Sequence, residues 1–240
     1  MMMAQLLTDN LPKCEQCTHG NISVFCKLEH DNLQEIEEGK EGINFKKGQI
    51  IFSEGNKPQG LYCVNSGKIK LVKIGEDGKE QILRLIKPGD MMGYRALLSG
   101  DRYNATAIAL EDCAVCCIPK QKFMTILKKD TNLSLEMMKL LGNDLKKAEE
   151  NITHMAQKPV RERMAEALLF MKETYGFEED DQTISVTLSR EEIANLVGTA
   201  TETAIRLLSE FKHDGIIELS GKKIKISNYL KLVLTANLHD

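Results

Sequence analysis

The sequence predicts an α+β chain: an N-terminal rolled antiparallel β-sheet, a long connecting helix, and a C-terminal unit of short helices closed by a β-hairpin. Three observations predict it. From Phe45 to Pro119 the chain breaks into short apolar-rich segments separated by Gly, Asn and Asp, the signature of an all-β unit. Met138, Leu141, Leu145, Ala148, Ile152 and Met155 then recur at alternating steps of three and four, the period of a helix with one apolar seam. Beyond Pro159, two short helices with capping signals precede two apolar runs that flank Ser220-Gly221, which reads as a helix pair and a hairpin.

Length and composition agree with this division. At 240 residues the chain is long enough for two domains with separate cores. Four segments are expected: a Cys-containing segment over 1–30, the β-roll over 31–133, the connecting helix over 134–158 and the C-terminal unit over 159–240. Apolar residues make up 42% and charged residues 28%, and no apolar run reaches the roughly 18 to 20 residues that span a bilayer. Met1 to Leu7 lacks the basic patch and apolar stretch of a secretory signal, so a cytoplasmic protein with no membrane role is expected. Seven cysteines in that compartment read as metal ligands, reactive thiols or core residues rather than a disulfide framework.

Within the β region, Gln49 to Phe52, Gly60 to Val64, Lys68 to Ile74 and Gln81 to Ile86 are expected strands, with tight turns at Asn65-Ser66-Gly67 and Glu76-Asp77-Gly78. The seam of the connecting helix has Lys146, Lys147, Glu149 and Glu150 off its apolar stripe. So narrow a stripe favours a partner helix over packing on its own domain, which makes Met138, Leu141, Leu145, Ala148, Ile152 and Met155 the expected homodimer interface. No seam position is acidic, so nothing on it opposes constitutive pairing. The helix ends before Pro159, a residue that suits the first turn of a new helix; that helix ends at Gly176. Glu178 to Asp181 reads as a solvated loop and Thr183 to Leu188 as a strand.

Ser189 and Glu192 form a capping-box pattern for a helix that breaks at Gly198, and Thr199 with Glu202 repeats the device. Two short helices joined by one turn are the helix-turn-helix layout, whose second helix lies in the DNA major groove. On that helix Ala204, Leu207, Leu208 and Phe211 share the core face, while Glu202, Ile205, Arg206, Ser209 and His213 project away from it. Arg206 can donate twice to guanine O6 and N7 and Glu202 can accept from a cytosine amine; the bland alternative is an i,i+4 surface ion pair between them. The hairpin of Ile216 to Leu219 and Lys223 to Ile226 is then a wing, with Lys222, Lys223 and Lys225 for phosphates. The expected DNA-binding residues are Ser189, Arg190, Thr199, Thr201, Glu202, Ile205, Arg206, Lys222 and Lys223. Bulk charge does not help: the net charge is -3, and Pro159 to Asp240 holds ten Lys/Arg against fourteen Asp/Glu. DNA binding has to rest on local arrangement.

From Leu188 to Leu208 the sequence resembles the helix-turn-helix of the Crp/Fnr family. The resemblance covers nearly the whole chain, since Gly67, Pro88-Gly89-Asp90 and Gly93 resemble that family's cyclic-nucleotide-binding-like β-roll, a double-stranded β-helix, and the seam helix its dimer interface. It implies a homodimeric transcription regulator that binds palindromic double-stranded DNA and works with RNA polymerase. Glu202 and Arg206 stand where the family places the acid and arginine that read a G·C pair. Ile205 replaces the serine usual in oxygen-sensing members, and its side chain can touch a thymine methyl.

The effector is a separate question. Cyclic-nucleotide binders of the family carry Gly-Glu and, about a dozen residues later, Arg-Ser or Arg-Thr around the cyclic phosphate. Gly93-Tyr94 and Asn104-Ala105 occupy the corresponding positions, so the ribose acceptor and the phosphate cation are replaced and cyclic AMP is a poor fit. Arg95 and Arg102 lie nearby and suit either a different anion or plain surface exposure. Cys14-x2-Cys17-x8-Cys26, together with Cys113, Cys116 and Cys117, offers enough thiols for an iron-sulfur or zinc site, against the alternative of reduced cysteines with no cofactor. By resemblance to iron-sulfur members, the metal ligands would be Cys14, Cys17, Cys26 and Cys116, with Cys63 left to the core.

Three functions are compatible with these features. The first is a sequence-specific DNA-binding regulator, controlled by an iron-sulfur cluster, by redox state, by a small molecule other than cyclic AMP, or by no effector. The second is a regulatory subunit that never touches DNA. The third, a redox or metal enzyme, lacks any acid/base or nucleophile constellation and is set aside.

Overall fold

The structure, a computed structural model, describes residues 5, 6, 14, 17, 25, 28 and 30–237. Its elements run β1 (Gln5–Leu6), α1 (His30–Glu37), β2 (Glu41–Phe45), β3 (Ile50–Phe52), β4 (Gly60–Ser66), β5 (Ile69–Ile74), β6 (Glu80–Ile86), β7 (Met91–Met92), α2 (Tyr94–Ser99), β8 (Thr106–Ala109), β9 (Cys113–Pro119) and α3 (Lys120–Lys129). There follow α4 (Thr131–Gln157), α5 (Val160–Tyr175), α6 (Arg190–Val197), α7 (Thr201–His213), β10 (Ile217–Ser220), β11 (Lys223–Ile226) and α8 (Tyr229–Ala236). The chain divides into two compact units, residues 1–73 with 84–146 and residues 74–83 with 147–240. No helix among the described residues is long and apolar enough to cross a membrane.

The first unit is the expected β-roll. One sheet has the order β1-β2-β9-β4-β7 and the other β3-β8-β5-β6, with antiparallel pairing at each registered ladder. Strand alternation explains two cores. Tyr62 and Val64 of β4, with Val115 and Cys117 of β9, join Phe45, Phe52 and Ile69 in one apolar cluster. Their neighbours Leu61 and Ile118 point to the opposite face, where Ile36, Phe123, Ile126, Leu133 and Met137 of the helices cover them. Because both faces are buried, β4 and β9 read as continuous apolar runs rather than simple alternation. β4 extends to Ser66, two residues past the expected strand end at Val64, and Gly67 at φ +88 makes the turn towards β5. A Cβ there would stand 2.6 Å from the Asp112 carbonyl oxygen.

A buried carboxylate ties the roll to α4. Asp144, 9% exposed, accepts hydrogen bonds from the Tyr94 hydroxyl and from Arg84 Nη1 at 3.2 Å, and pairs with Arg95 Nη2 at 3.0 Å. Arg84 Nη1 also lies 2.6 Å from the Tyr94 oxygen. Burial alone would lower the Arg84 pKa, but Tyr94 and Asp144 together move it upward. Arg95, one of the two arginines considered for an anionic ligand, is therefore held by an internal carboxylate. Arg102, the other, donates to the Gly55 carbonyl at 2.7 Å.

The second unit holds the helix pair and hairpin. α5 starts after Pro159 and stops at Gly176, as its sequence dictates. The acidic loop is more than a solvated run. Asp180 accepts from the Gln182 amide at 3.1 Å and from the Thr183 amide and hydroxyl at 2.7 and 2.6 Å, which holds its pKa down at about 2. Glu178 pairs with Lys223 at 2.7 Å. Thr183 to Leu188 is not a strand: Ile184, Val186 and Leu188 are buried, but pairing is limited to the bridges Phe177↔Ile184 and Thr183↔Lys225. Its alternation records burial without a ladder.

Candidate functional site

Two sets of residues carry the chemistry. In the helix pair, Ser189 Oγ accepts from the Glu192 amide at 3.1 Å and Glu192 Oε2 accepts from the Ser189 amide at 2.8 Å, a complete capping box. α6 ends on Gly198 at φ +71, a backbone conformation open to glycine at little cost. The second capping pattern is not used. The N-cap of α7 is Ala200, without a side-chain cap, and the Thr199 amide donates back to the Ala194 carbonyl at 3.1 Å. Thr199 thus finishes α6, and the helix begins at Thr201.

α7 buries Ala204, Leu207, Leu208 and Phe211, which fixes its rotation. Glu202, Ile205, Arg206 and Ser209 are left exposed on the opposite side. Arg206 is 63% exposed. Its ion-pair partner is Glu210, at 2.5 Å between Nη1 and Oε1, instead of the Glu202 considered above. The wing pairs Ile217↔Ile226 through Ser220↔Lys223, so its two-residue loop is Gly221-Lys222, one step beyond the expected turn. Lys222 at the tip is exposed. Arg190 donates to the Gly221 carbonyl at 2.9 Å; it braces the wing turn from the start of α6, and burial lowers its pKa. A helix with exposed acid and arginine, beside a lysine-tipped wing, can present donors and acceptors to base edges and cations to phosphates.

The cysteines form the second set, and among the described residues Cys14, Cys63 and Cys116 lie on the helix-covered side of the first unit. Strand alternation sorts the three cysteines of β9: Cys113 and Cys117 enter the core between the sheets, and burial pushes each thiol up to about 11. Cys116 points the other way and is the direct register partner of Cys63. Cys14 and Cys63 pack on the same apolar cluster, and the Cys17 amide donates to the Cys14 carbonyl at 3.3 Å. Lys40 Nζ lies 3.5 Å from Cys14 Sγ and 3.0 Å from Glu37; burial pushes the Cys116 thiol up, and the Lys40 charge offsets only part of that. Burial, aided by Glu37, nevertheless drives the Cys14 thiol up to about 12. Cys26 lies outside the described residues. Among the described residues no group of three or more His, Cys, Asp or Glu side chains could hold a metal ion. The soft donors Cys14, Cys17 and Cys116 do suit an iron-sulfur cluster, which is larger than one ion and takes thiolates as its ligands. Cys63, read from sequence as core, lies beside them; its cross-strand position opposite Cys116 becomes visible only with the register of β4 against β9.

The β-roll and the winged helix-turn-helix together define a DNA-binding transcription regulator. The model of the cyclic nucleotide-binding domain matches residues 43–130, and that of the Crp-like helix-turn-helix domain matches 162–233. The chain is 32% identical over 231 residues to the fumarate and nitrate reduction regulatory protein of Vibrio cholerae, covering 94% of this chain and 90% of that one. It is 33% identical over 221 residues to the protein of that name in Escherichia coli K12, with 90% and 86% covered. Among solved structures, a Crp/Fnr transcriptional regulator from Thermus thermophilus superposes with a TM-score of 0.70 at 27% identity over 83% of this chain and all of the other. A regulator of that family from Eubacterium rectale reaches 0.74 at 22% identity, with 90% and 98% covered, and shares the fold. The chain belongs to the Crp/Fnr family, whose members are transcription regulators and not enzymes.

Proposed function

We propose that this chain works in the cytoplasm as a homodimer that binds palindromic DNA sites through Glu202, Ile205 and Arg206, with Lys222 on phosphates, and controls transcription through RNA polymerase. The observation that carries the reading is the exposed polar face of α7, fixed in rotation by its buried residues and flanked by the wing. Dimerisation is supported by the α4 seam: Met138, Leu145, Ile152 and Met155 are 59%, 61%, 69% and 40% exposed in the single chain. Such an apolar stripe on a charged helix suits a second copy of itself. Two-fold symmetry of the protein then implies two-fold symmetry of the DNA site.

The sensing part of the proposal is an iron-sulfur cluster held by Cys14, Cys17, Cys26 and Cys116. The relatives' name, which refers to fumarate and nitrate reduction, and the placing of two of these thiols, Cys14 and Cys116, near Lys40 support it. Bound there, a cluster supplies a redox-active centre. The chain's own part is to present Cys116 on the helix-covered side of β9, to pack Cys14 on that same side, and to supply a Lys40 charge that favours their thiolates against burial. The Gly93-Tyr94 and Asn104-Ala105 positions direct the search for an effector away from cyclic AMP: Tyr94 is engaged with Asp144, and Ala105 is buried.

Selection of duplexes from a random pool tests the DNA reading; a palindromic product bound by two chains supports it, and no enriched sequence refutes it. Anaerobic purification with iron, sulfide and zinc assays tests the cluster. Iron and sulfide that fall together in Cys116→Ser support it. Colourless, metal-free wild type refutes it.

A further inference from the structure

Arg206 is the terminal member of a side-chain chain that starts on a different helix. Glu210, one turn further along α7, accepts from Arg206 Nη1 through Oε1 at 2.5 Å and from Arg161 Nη1 through Oε2 at 3.0 Å. Arg161, in the first turn of α5, uses its other nitrogen on Asp214 Oδ2 at 2.6 Å. Its guanidinium also lies over the Phe211 ring, 4.8 Å from the centroid, and Phe211 is fully buried. Arg161 is thus held at three points, and Glu210 is held by Arg161. Arg161, Arg206, Glu210 and Asp214 line one shallow depression with Ser209 and His213.

We infer that Glu210, fixed by Arg161, is a specificity-determining positioning residue that presents the Arg206 guanidinium to the base edge. This inference rests on the DNA reading above. A guanidinium has five N–H donors in a planar fork. One carboxylate oxygen on Nη1 leaves donors on Nη2 and Nε, enough for a bidentate contact with guanine. An arginine side chain without such a hold surrenders rotamer freedom when it binds, and that loss falls on the specific contact. A carboxylate beside DNA also has an opposite effect: its charge repels phosphates, which weakens binding to every duplex alike. The two roles predict opposite outcomes when the charge is removed.

The test uses the full-length protein, the duplex that the wild type selects from a random pool, a variant of it with the G·C pair changed, and an unrelated duplex. Glu210→Gln keeps size and polarity but weakens the shared ion pair. It is expected to reduce the ratio of specific to unrelated affinity by about 3- to 10-fold and to flatten the preference at the G·C pair. In Arg206→Ala/Glu210→Gln the second change should add no further loss of that ratio, because it acts only through Arg206. Arg161→Met should weaken the ratio in the same direction; circular dichroism of each variant establishes that it is folded. Uniformly tighter binding of Glu210→Gln to all three duplexes, or additive losses in the double variant, overturns the inference and leaves Arg206 as reader. An Arg206→Ala variant with unchanged specificity, or a wild type that selects nothing, instead overturns the DNA reading itself and this inference with it.

Discussion

Replacing Asp144 by alanine removes the centre of the polar contact between the β-roll and α4. The carboxylate is 9% exposed and is shared by Tyr94, Arg84 and Arg95. Removing one partner of a buried ion pair costs about 3–5 kcal/mol, mostly because the remaining charge is left unpaired. Arg84 is 26% and Arg95 43% exposed, so water can reach both once the carboxylate is gone, and screening already weakens the Arg95 pair. The expected loss is therefore about 2–3 kcal/mol. For a chain of this size each kcal/mol shifts the midpoint by roughly 2–4 °C. Calorimetry of the full chain should show the β-roll transition lowered by about 4–12 °C. Asp144→Asn, which keeps acceptor and shape, should lose about half as much. Tyr94→Phe should cost less once Asp144 is already alanine, because the two share a hydrogen bond. A loss below about 0.5 kcal/mol for Asp144→Ala would refute the reasoning, since that is the range of surface substitutions.

Other expectations follow from the same structure. Lys222→Ala should reduce the slope of log affinity against log salt by about one, whereas Glu178→Ala, which releases Lys223 from its ion pair, should not reduce it; equal slopes for wild type and Lys222→Ala would remove the wing from the phosphate contacts. Ser189→Ala should cost about 1 kcal/mol in urea unfolding of the second unit by breaking the capping box. Gly67→Ala should be more costly, at about 2–3 kcal/mol, because it adds left-handed strain and a clash with backbone. Asp180 has a folded pKa of about 2 against an ordinary 3.8. Its stabilising contribution is therefore fully present above about pH 4 and is lost as the pH falls towards 2. The Tm difference between wild type and Asp180→Ala should shrink across that window; a constant difference would show that the carboxylate charge is not what holds the loop.

The parts of the fold legible in sequence were those set by strong local signals. Gly176 and Pro159 bounded α5, the Ser189-Glu192 pair started α6, and the spacing of Ala204, Leu207, Leu208 and Phe211 gave the rotation of α7. The misreadings came where one local signal served another purpose. Thr199 with Glu202 matches a capping box, but the Thr199 amide is drawn into the end of α6. Thr183 to Leu188 alternates because Ile184, Val186 and Leu188 are buried, with only isolated bridges to show for it. The partners of Glu210, Asp144 and Cys63 depend on contacts distant in sequence. Arg161 lies 49 residues from Glu210, and Tyr94 lies 50 from Asp144. The Cys63 position depends on a strand register that no pattern in β4 specifies. The i,i+4 spacing of Arg206 and Glu210 was available as a signal, but it competed with the equal spacing of Glu202 and Arg206.

The most direct test of the account is the affinity of wild type and Arg206→Ala for the palindromic duplex that the wild type selects, each measured against an unrelated duplex at one salt concentration. Loss of a bidentate guanine contact of about 1–3 kcal/mol predicts a specific affinity roughly 5- to 150-fold weaker, with unrelated DNA bound much as before. Equal losses on both duplexes, or none on either, would contradict the assignment of α7 as the element that reads sequence.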